Sequence, residues 1–168
     1  MRFFLLGFMG TGKTYWGRLW ALQHGMDFFD LDTEIEKEAK MTIKEMFEQF
    51  GETYFREKEK QALQRFGDRD NFILSTGGGT PCFYDNMQWM NGTGVTIYLD
   101  TPVQILKDRL SKEKDHRPLL KNLDDNDLIP FIENNINKRN KFYNQAVVIL
   151  PTESITEATF SEIKSTYS

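Results

Sequence analysis

Residues 7 to 14 read Gly-Phe-Met-Gly-Thr-Gly-Lys-Thr, which fits the phosphate-loop spacing G-x-x-x-x-G-K-[ST] at every position. Such a loop grips phosphate because backbone N–H groups and the positive end of the following helix converge on it. Gly10, Thr11, Gly12, Lys13, Thr14 and Tyr15 are then the set that surrounds a nucleoside triphosphate. Lys13 reaches the β- and γ-phosphates, and the Thr14 hydroxyl sits on a magnesium ion. A loop that reads only phosphate leaves GTPases, motor ATPases and small-molecule kinases open. The acceptor must be read elsewhere. Asp30 and Asp32 stand two apart at a predicted strand end, so extended backbone turns both carboxylates to one side, where they suit magnesium and a hydroxylated substrate. Alone, the pair also reads as an acidic loop with a helix N-cap. Arg56 lies in a charged helix and Arg139 one turn before Tyr143; either alone is unremarkable. Arg117 stands in the kink His116-Arg117-Pro118-Leu119-Leu120, and a closing loop with arginine at its tip is a common way to neutralise a transferring phosphoryl group. The triplet Gly77-Gly78-Gly79 directly follows an apolar strand, an unusual placement.

These residues need a scaffold that brings distant loops together. Short apolar runs alternate with longer helical stretches, the pattern of a parallel sheet covered by helices on both faces. Strands are predicted at about 2–6, 28–31, 72–75, 95–99 and 147–150. The helix after the phosphate loop spans about 13–24, with Gly25 as a left-handed cap. Trp16 and Trp20 share one face of it and read as core in preference to an adenine platform. Capping-box spacing at Thr33–Glu36 and Thr42–Glu45 predicts two separate helices, the second ending near Gly51 and a third covering about 52–66. Further helices are expected near 84–91, from Thr101 and Pro102 to about Leu110, over about 128–144 with Pro130 in the first turn, and from Ser154 onward. Residues 112–126 are charged and aperiodic, and read as a mobile excursion.

The bulk properties limit the partners. At 168 residues the chain suits one domain. A formal charge of −4 gives no overall attraction for nucleic acid. No apolar run approaches the roughly 20 residues of a membrane span, so a cytoplasmic location is expected. The single Cys82 fits a reducing compartment and reads as structural. With His24, His116 and Cys82 the only soft ligands, structural zinc is not expected.

Together the motifs resemble the ordered set of the shikimate kinase family: the loop at 7–14, Asp30-x-Asp32, Phe55-Arg56-x-x-Glu59, Gly77-Gly78-Gly79, Arg117-Pro118-Leu119-Leu120 and Arg139-x-x-x-Tyr143. The resemblance runs from about residue 3 to residue 150. It implies an α/β three-layer sandwich, a P-loop kinase domain over 1–168 with a five-stranded parallel sheet of order 2-3-1-4-5. A substrate-binding region would lie near 32–60 and a lid near 112–126. It implies transfer of the γ-phosphoryl group of ATP to the 3-hydroxyl of shikimate, in aromatic amino-acid biosynthesis, by a monomer. Lys13, Asp32 and Arg117 would be catalytic, with Asp32 also holding the shikimate hydroxyls. Arg56 and Arg139 would hold the carboxylate, and Gly77, Gly78 and Gly79 would bring bare backbone to the ring. Thr14 and Asp30 would hold Mg2+, and Arg109 would stack on adenine. After the fifth strand the family shows Asp or Asn before Thr, whereas this chain has Leu150-Pro151-Thr152-Glu153, which leaves the adenine contacts of that loop open. A related kinase for another small hydroxy acid such as gluconate, or a nucleotide-binding module without phosphotransfer, are the competing readings.

Overall fold

The computed structural model describes residues 1–117 and 119–168; Pro118, in the kink after Arg117, lies outside the described residues. Five strands form one parallel sheet in the order β2-β3-β1-β4-β5. They are β1 (Arg2–Leu6), β2 (Asp27–Asp30), β3 (Phe72–Ser75), β4 (Val95–Asp100) and β5 (Val148–Pro151). The helices are α1 (Lys13–His24), α2 (Leu31–Ala39), α3 (Ile43–Arg65), α4 (Asn86–Thr93), α5 (Val103–Lys112), α6 (Asp125–Tyr143) and α7 (Thr159–Thr166).

The period-2 alternation of β1 explains why both faces of the sheet are covered. Phe3 and Leu5 pack with Trp20, Ile97, Leu99 and Phe160, on the side of α1 and α7. Phe4 and Leu6 pack on the opposite side with Leu63, Phe72, Leu74 and Tyr98. These four β1 side chains, Phe3 to Leu6, are fully buried, each contributing roughly 1.5–3 kcal/mol over an exposed position. A third cluster joins Phe8 of the phosphate loop to Leu106, Leu110, Leu120, Leu128 and Ile132.

The register sets the site. Leu5 and Asp30 both stand opposite Ser75, so the carboxyl ends of β2, β3 and β1 finish side by side, at the edge where open α/β sheets bind ligands. The loops carrying Asp30, Gly77 to Gly79 and the phosphate-binding motif therefore converge.

Several local expectations change. The second strand stops at Asp30, and Leu31 already begins α2. Asp30 is the N-cap, its carboxylate accepting from the Thr33 N–H at 3.2 Å, so Thr33 is not a cap. Asp32 sits in the first helical turn, so extended-chain geometry does not relate the two carboxylates. The Thr42–Glu45 capping box forms as expected. The helices on either side of Gly51 run on as α3, kinked where Gly51 adopts φ 82° and ψ 175°, a left-handed φ that glycine tolerates without a Cβ penalty. The helix after β4 begins at Val103 instead of at a Thr101 cap; Thr101 is buried and its hydroxyl accepts from Thr152 at 3.0 Å. Pro130 lies in the second turn of α6, not the first, and removes only the donor to the exposed Asn126 carbonyl. The last helix begins at Thr159, beyond Ser154.

The 112–126 segment is anchored more firmly than its charge suggests. Leu120 is fully buried, and the Lys114 ammonium donates to the Leu123 carbonyl and pairs with Asp125. No helix among the described residues is long and apolar enough to cross a membrane.

Candidate active site

A cavity of about 550 Å³ opens at the carboxyl edge of the sheet, lined among others by Gly10, Gly12, Lys13, Thr14, Asp30, Asp32, Gly77, Gly78, Arg109 and Arg117. The phosphate loop is shaped by positive φ at Gly7, Gly10 and Gly12, which aims successive amides inward. Thr11 is buried, and its hydroxyl donates to the Phe8 carbonyl at 2.9 Å, tying the loop to itself. The Lys13 ammonium donates to the Gly7 and Phe8 carbonyls at 2.8 and 3.0 Å.

Loss of surrounding water pushes Lys13 down to about 8, with Asp32 and Asp30 pulling it up and Arg117 and Arg139 pressing it down. Asp32 moves the other way. Burial raises its carboxyl to about 6, helped by the charges of Asp30 and Glu59 and opposed by Lys13. A cation and a carboxylate with pKa values on either side of neutrality share the cavity, a common signature of acid–base chemistry. Thr14 Oγ1 and Asp30 Oδ2 lie 3.4 Å apart at the cavity wall. Both are hard oxygen donors, of the kind magnesium takes in ones or twos beside phosphate oxygens and water.

The glycine triplet organises the rest. A Cβ on Gly77 would lie 3.2 Å from Asp32 Oδ1 and 3.3 Å from Glu59 Oε2. One on Gly78 would lie 2.9 Å from Arg139 Nη1, and one on Gly79 would lie 2.7 Å from Arg56 Nη2. Side chains here would displace, in turn, the acid and both arginines. Three glycines in a row thus let three side chains from three helices meet one backbone segment. Sequence reading expects that bare backbone to face a substrate ring; what the structure places in the space it leaves is Asp32, Arg139 and Arg56.

Arg56 is held tightly for a cation. It pairs with Glu59 at 3.0 Å and with Glu52 at 3.3 Å, and its guanidinium lies 4.0 Å above the Phe83 ring. Glu59 is completely buried and takes its other bond from the Thr80 hydroxyl at 2.7 Å. Tyr143 donates to the Gly78 carbonyl at 2.6 Å, fixing the middle of the triplet near Arg139. Glu59, Thr80, Phe83 and Tyr143 are supports that sequence reading leaves without a role. The i, i+3 spacing of Arg56 and Glu59 was the visible sign of one; Phe83 and Thr80 carry no local sign at all.

Arg109 donates to the Gly10 carbonyl at 2.9 Å, at the mouth of the cavity. Arg117 lines the same mouth and pairs with Glu113. Lys112, Lys114 and Lys121 do not line it, nor does Thr152. Tyr15 and Trp16 do. Trp20 is core, as the helical spacing predicts; half-buried Trp16 is not only core, because it reaches the cavity wall.

A phosphate loop at the switch point of a 2-3-1-4-5 sheet, sharing one cavity with Asp32, Arg109 and Arg117 while Arg139 and Arg56 stand against Gly78 and Gly79 outside its lining, defines a P-loop phosphotransferase of the small-molecule kinase class. The family model for shikimate kinase matches residues 9–168. A shikimate kinase of Bacteroides fragilis is 41% identical over 157 residues, 94% of this chain and 88% of that protein. A 1.7 Å crystal structure of shikimate kinase from Bacteroides thetaiotaomicron superposes with a TM-score of 0.89 at 39% identity, covering 99% of this chain and 96% of that one. The structure of the Acinetobacter baumannii shikimate kinase in complex with shikimate gives 0.81 at 31% identity, with 98% and 89% covered. This chain belongs to the shikimate kinase family.

Proposed function

We propose that this chain transfers the γ-phosphoryl group of ATP to the 3-hydroxyl of shikimate, a step toward chorismate and the aromatic amino acids, in the presence of Mg2+. The observation that carries the reading is the meeting of Asp32, Arg139 and Arg56 on the glycine triplet beside the loop that holds Lys13. A compact ring with hydroxyls on one side and a carboxylate on the other matches that arrangement, because guanidinium forks fit a carboxylate and a nearby carboxylate fits hydroxyls.

Arg56 and Arg139 orient the substrate carboxylate, and Arg56 needs little reorganisation because Glu59, Glu52 and Phe83 already hold it. Asp32, ionised at neutral pH yet more basic than an ordinary carboxylate, accepts the proton of the attacking hydroxyl. The new oxygen–phosphorus bond forms as the bond to the β-phosphate oxygen breaks, and ADP leaves. Lys13 turns from the Gly7 and Phe8 carbonyls to the phosphates and balances their charge. Thr14 and Asp30 would hold Mg2+, which would supply positive charge beside the phosphates. Arg117 swings from Glu113 over the transferring group as the 112–126 segment closes as a lid, excluding water. Residues 32–60 serve as the substrate-binding region. Most of the rate then comes from positioning and fixed charge.

A coupled ADP-release assay with ATP, run in parallel with shikimate, gluconate and nucleoside monophosphates, tests this. Turnover with shikimate alone is expected. Turnover with gluconate and none with shikimate would overturn it.

A further inference from the structure

The Trp16 indole is placed where a binding group, not only a core group, belongs. It follows Lys13 by three residues on α1, lines the cavity, and is only half buried. A Cβ on Gly12 would lie 3.2 Å from its Cδ1, 3.5 Å from its Nε1 and 4.0 Å from Arg109 Nη1. The indole edge and the Arg109 guanidinium therefore both sit against Gly12, at the mouth of the phosphate cavity. From behind, Trp16 stacks on Trp20 with ring centres 5.6 Å apart and planes at 29°. Trp20 in turn stacks on Phe160 at 5.0 Å and 8°. Tyr15, 66% exposed, meets Trp16 edge-on at 5.1 Å. A column of rings anchored in the buried core thus ends in an indole at the cavity wall, so the ring loses little freedom when a ligand arrives.

We infer that Trp16, with Tyr15 beside it and Arg109 across Gly12, is the platform for the donor nucleobase, and that the donor is selected by stacking, so that purine nucleoside triphosphates other than ATP are also used. The inference rests on the donor role proposed above for the phosphate loop. Aromatic rings and a guanidinium read the π-face, which every base has. Reading a base edge takes buried hydrogen-bonding groups aimed at it, and discrimination between bases comes from leaving such groups unpaired. Among the described residues lining this end of the cavity, the carboxylate is Glu113, which is partly exposed and already paired with Arg117.

The test combines steady-state kinetics and calorimetry on the whole chain and on Trp16→Phe, Trp16→Leu and Trp16→Ala, with ATP, GTP and inorganic tripolyphosphate as a probe that has no base. GTP should support turnover with kcat/KM within about tenfold of ATP. Trp16→Ala should weaken both nucleotides roughly tenfold, the scale of one base–aromatic stack, while tripolyphosphate binding and the KM for shikimate stay unchanged. Trp16→Phe should keep most of the affinity. If Trp16→Ala does not fold, Trp16→Leu against Trp16→Phe makes the same comparison. Tripolyphosphate weakened in step with ATP would show that Trp16 acts by shaping the loop and would overturn the inference. So would rejection of GTP by more than a hundredfold. Calorimetric binding of ATP without acceptor reads the platform even if shikimate is not turned over, which separates failure of this inference from failure of the acceptor assignment.

Discussion

Asp32→Asn should make the protein more stable at neutral pH while it removes activity, and the size of the gain follows from the environment of the carboxyl. Its pKa stands at about 6 in the folded chain against 3.8 for an ordinary aspartate. A raised acid pKa means that the folded state disfavours the charged form. Below pH 4 the carboxyl is protonated in both states and imposes no penalty. Between about pH 4 and 6 the unfolded chain ionises first, and stability falls; above 6 the full penalty of about 3 kcal/mol applies, at 1.36 kcal/mol per tenfold in proton affinity. An asparagine escapes that penalty, in which the attraction to Lys13 is already counted, but still buries a polar amide, so the net gain should be about 2 kcal/mol. For a chain of this size that is a rise in Tm of roughly 4–8 °C. Thermal unfolding of both proteins at pH 7.5, 6 and 4.5 measures it: the gap should be widest at pH 7.5 and nearly closed at 4.5. Phosphoryl transfer should fall by roughly 10²–10⁴, the span of a lost general base. Equal Tm values at pH 7.5, or a gap that does not change with pH, would refute the burial argument even if activity were lost.

The free-enzyme pH profile should be bell-shaped: kcat/KM should rise through about pH 6 as Asp32 ionises and fall through about pH 8 as Lys13 loses its proton. A flat profile from pH 5.5 to 8.5 would contradict both assignments. Arg139→Lys keeps charge but loses the fork, so the KM for shikimate should rise on the order of tenfold or more with the KM for ATP little changed; equal losses would count against the carboxylate role. A Cβ on Gly79 would stand 2.7 Å from Arg56 Nη2, whereas one on Gly92 meets nothing within 4 Å. Gly79→Ala should therefore raise the KM for shikimate severalfold, and Gly92→Ala should leave kinetics alone and add about 0.5 kcal/mol of stability in urea melts. Arg117→Ala should lower kcat by roughly 10²-fold or more, judged by the scale of arginine stabilisation in phosphoryl transfer; a parent-like rate would exclude the lid arginine.

Local chemistry carried much of this protein on its face. The phosphate loop, the Thr42–Glu45 capping box, the apolar strands and the glycine triplet are read from neighbours in sequence, because each obeys a rule that spans a few residues. Six motifs in order, with strands alternating with helices, also pointed to the sheet order and the family. The start of α2 is not legible locally because Asp30 and Thr33 are both good caps, and only packing of Leu31 and Ile35 into the core chooses between them. Pro130 lies a turn deeper in α6 than local rules suggest for a similar reason, since burial of Leu128 and Ile132 holds the helix together from its first turn onward.

The site divides along the same line. Residue type and order determined which groups this chain has for gripping phosphate, a carboxylate and a hydroxyl. Tertiary structure alone decided that Asp32, Arg139 and Arg56 fill the space left by Gly77, Gly78 and Gly79, that a buried Glu59 holds Arg56, and that Trp16 faces the cavity. The physical reason is that pKa values, guanidinium orientation and close approach depend on what lies within a few ångströms in space, and those neighbours come from segments tens of residues apart.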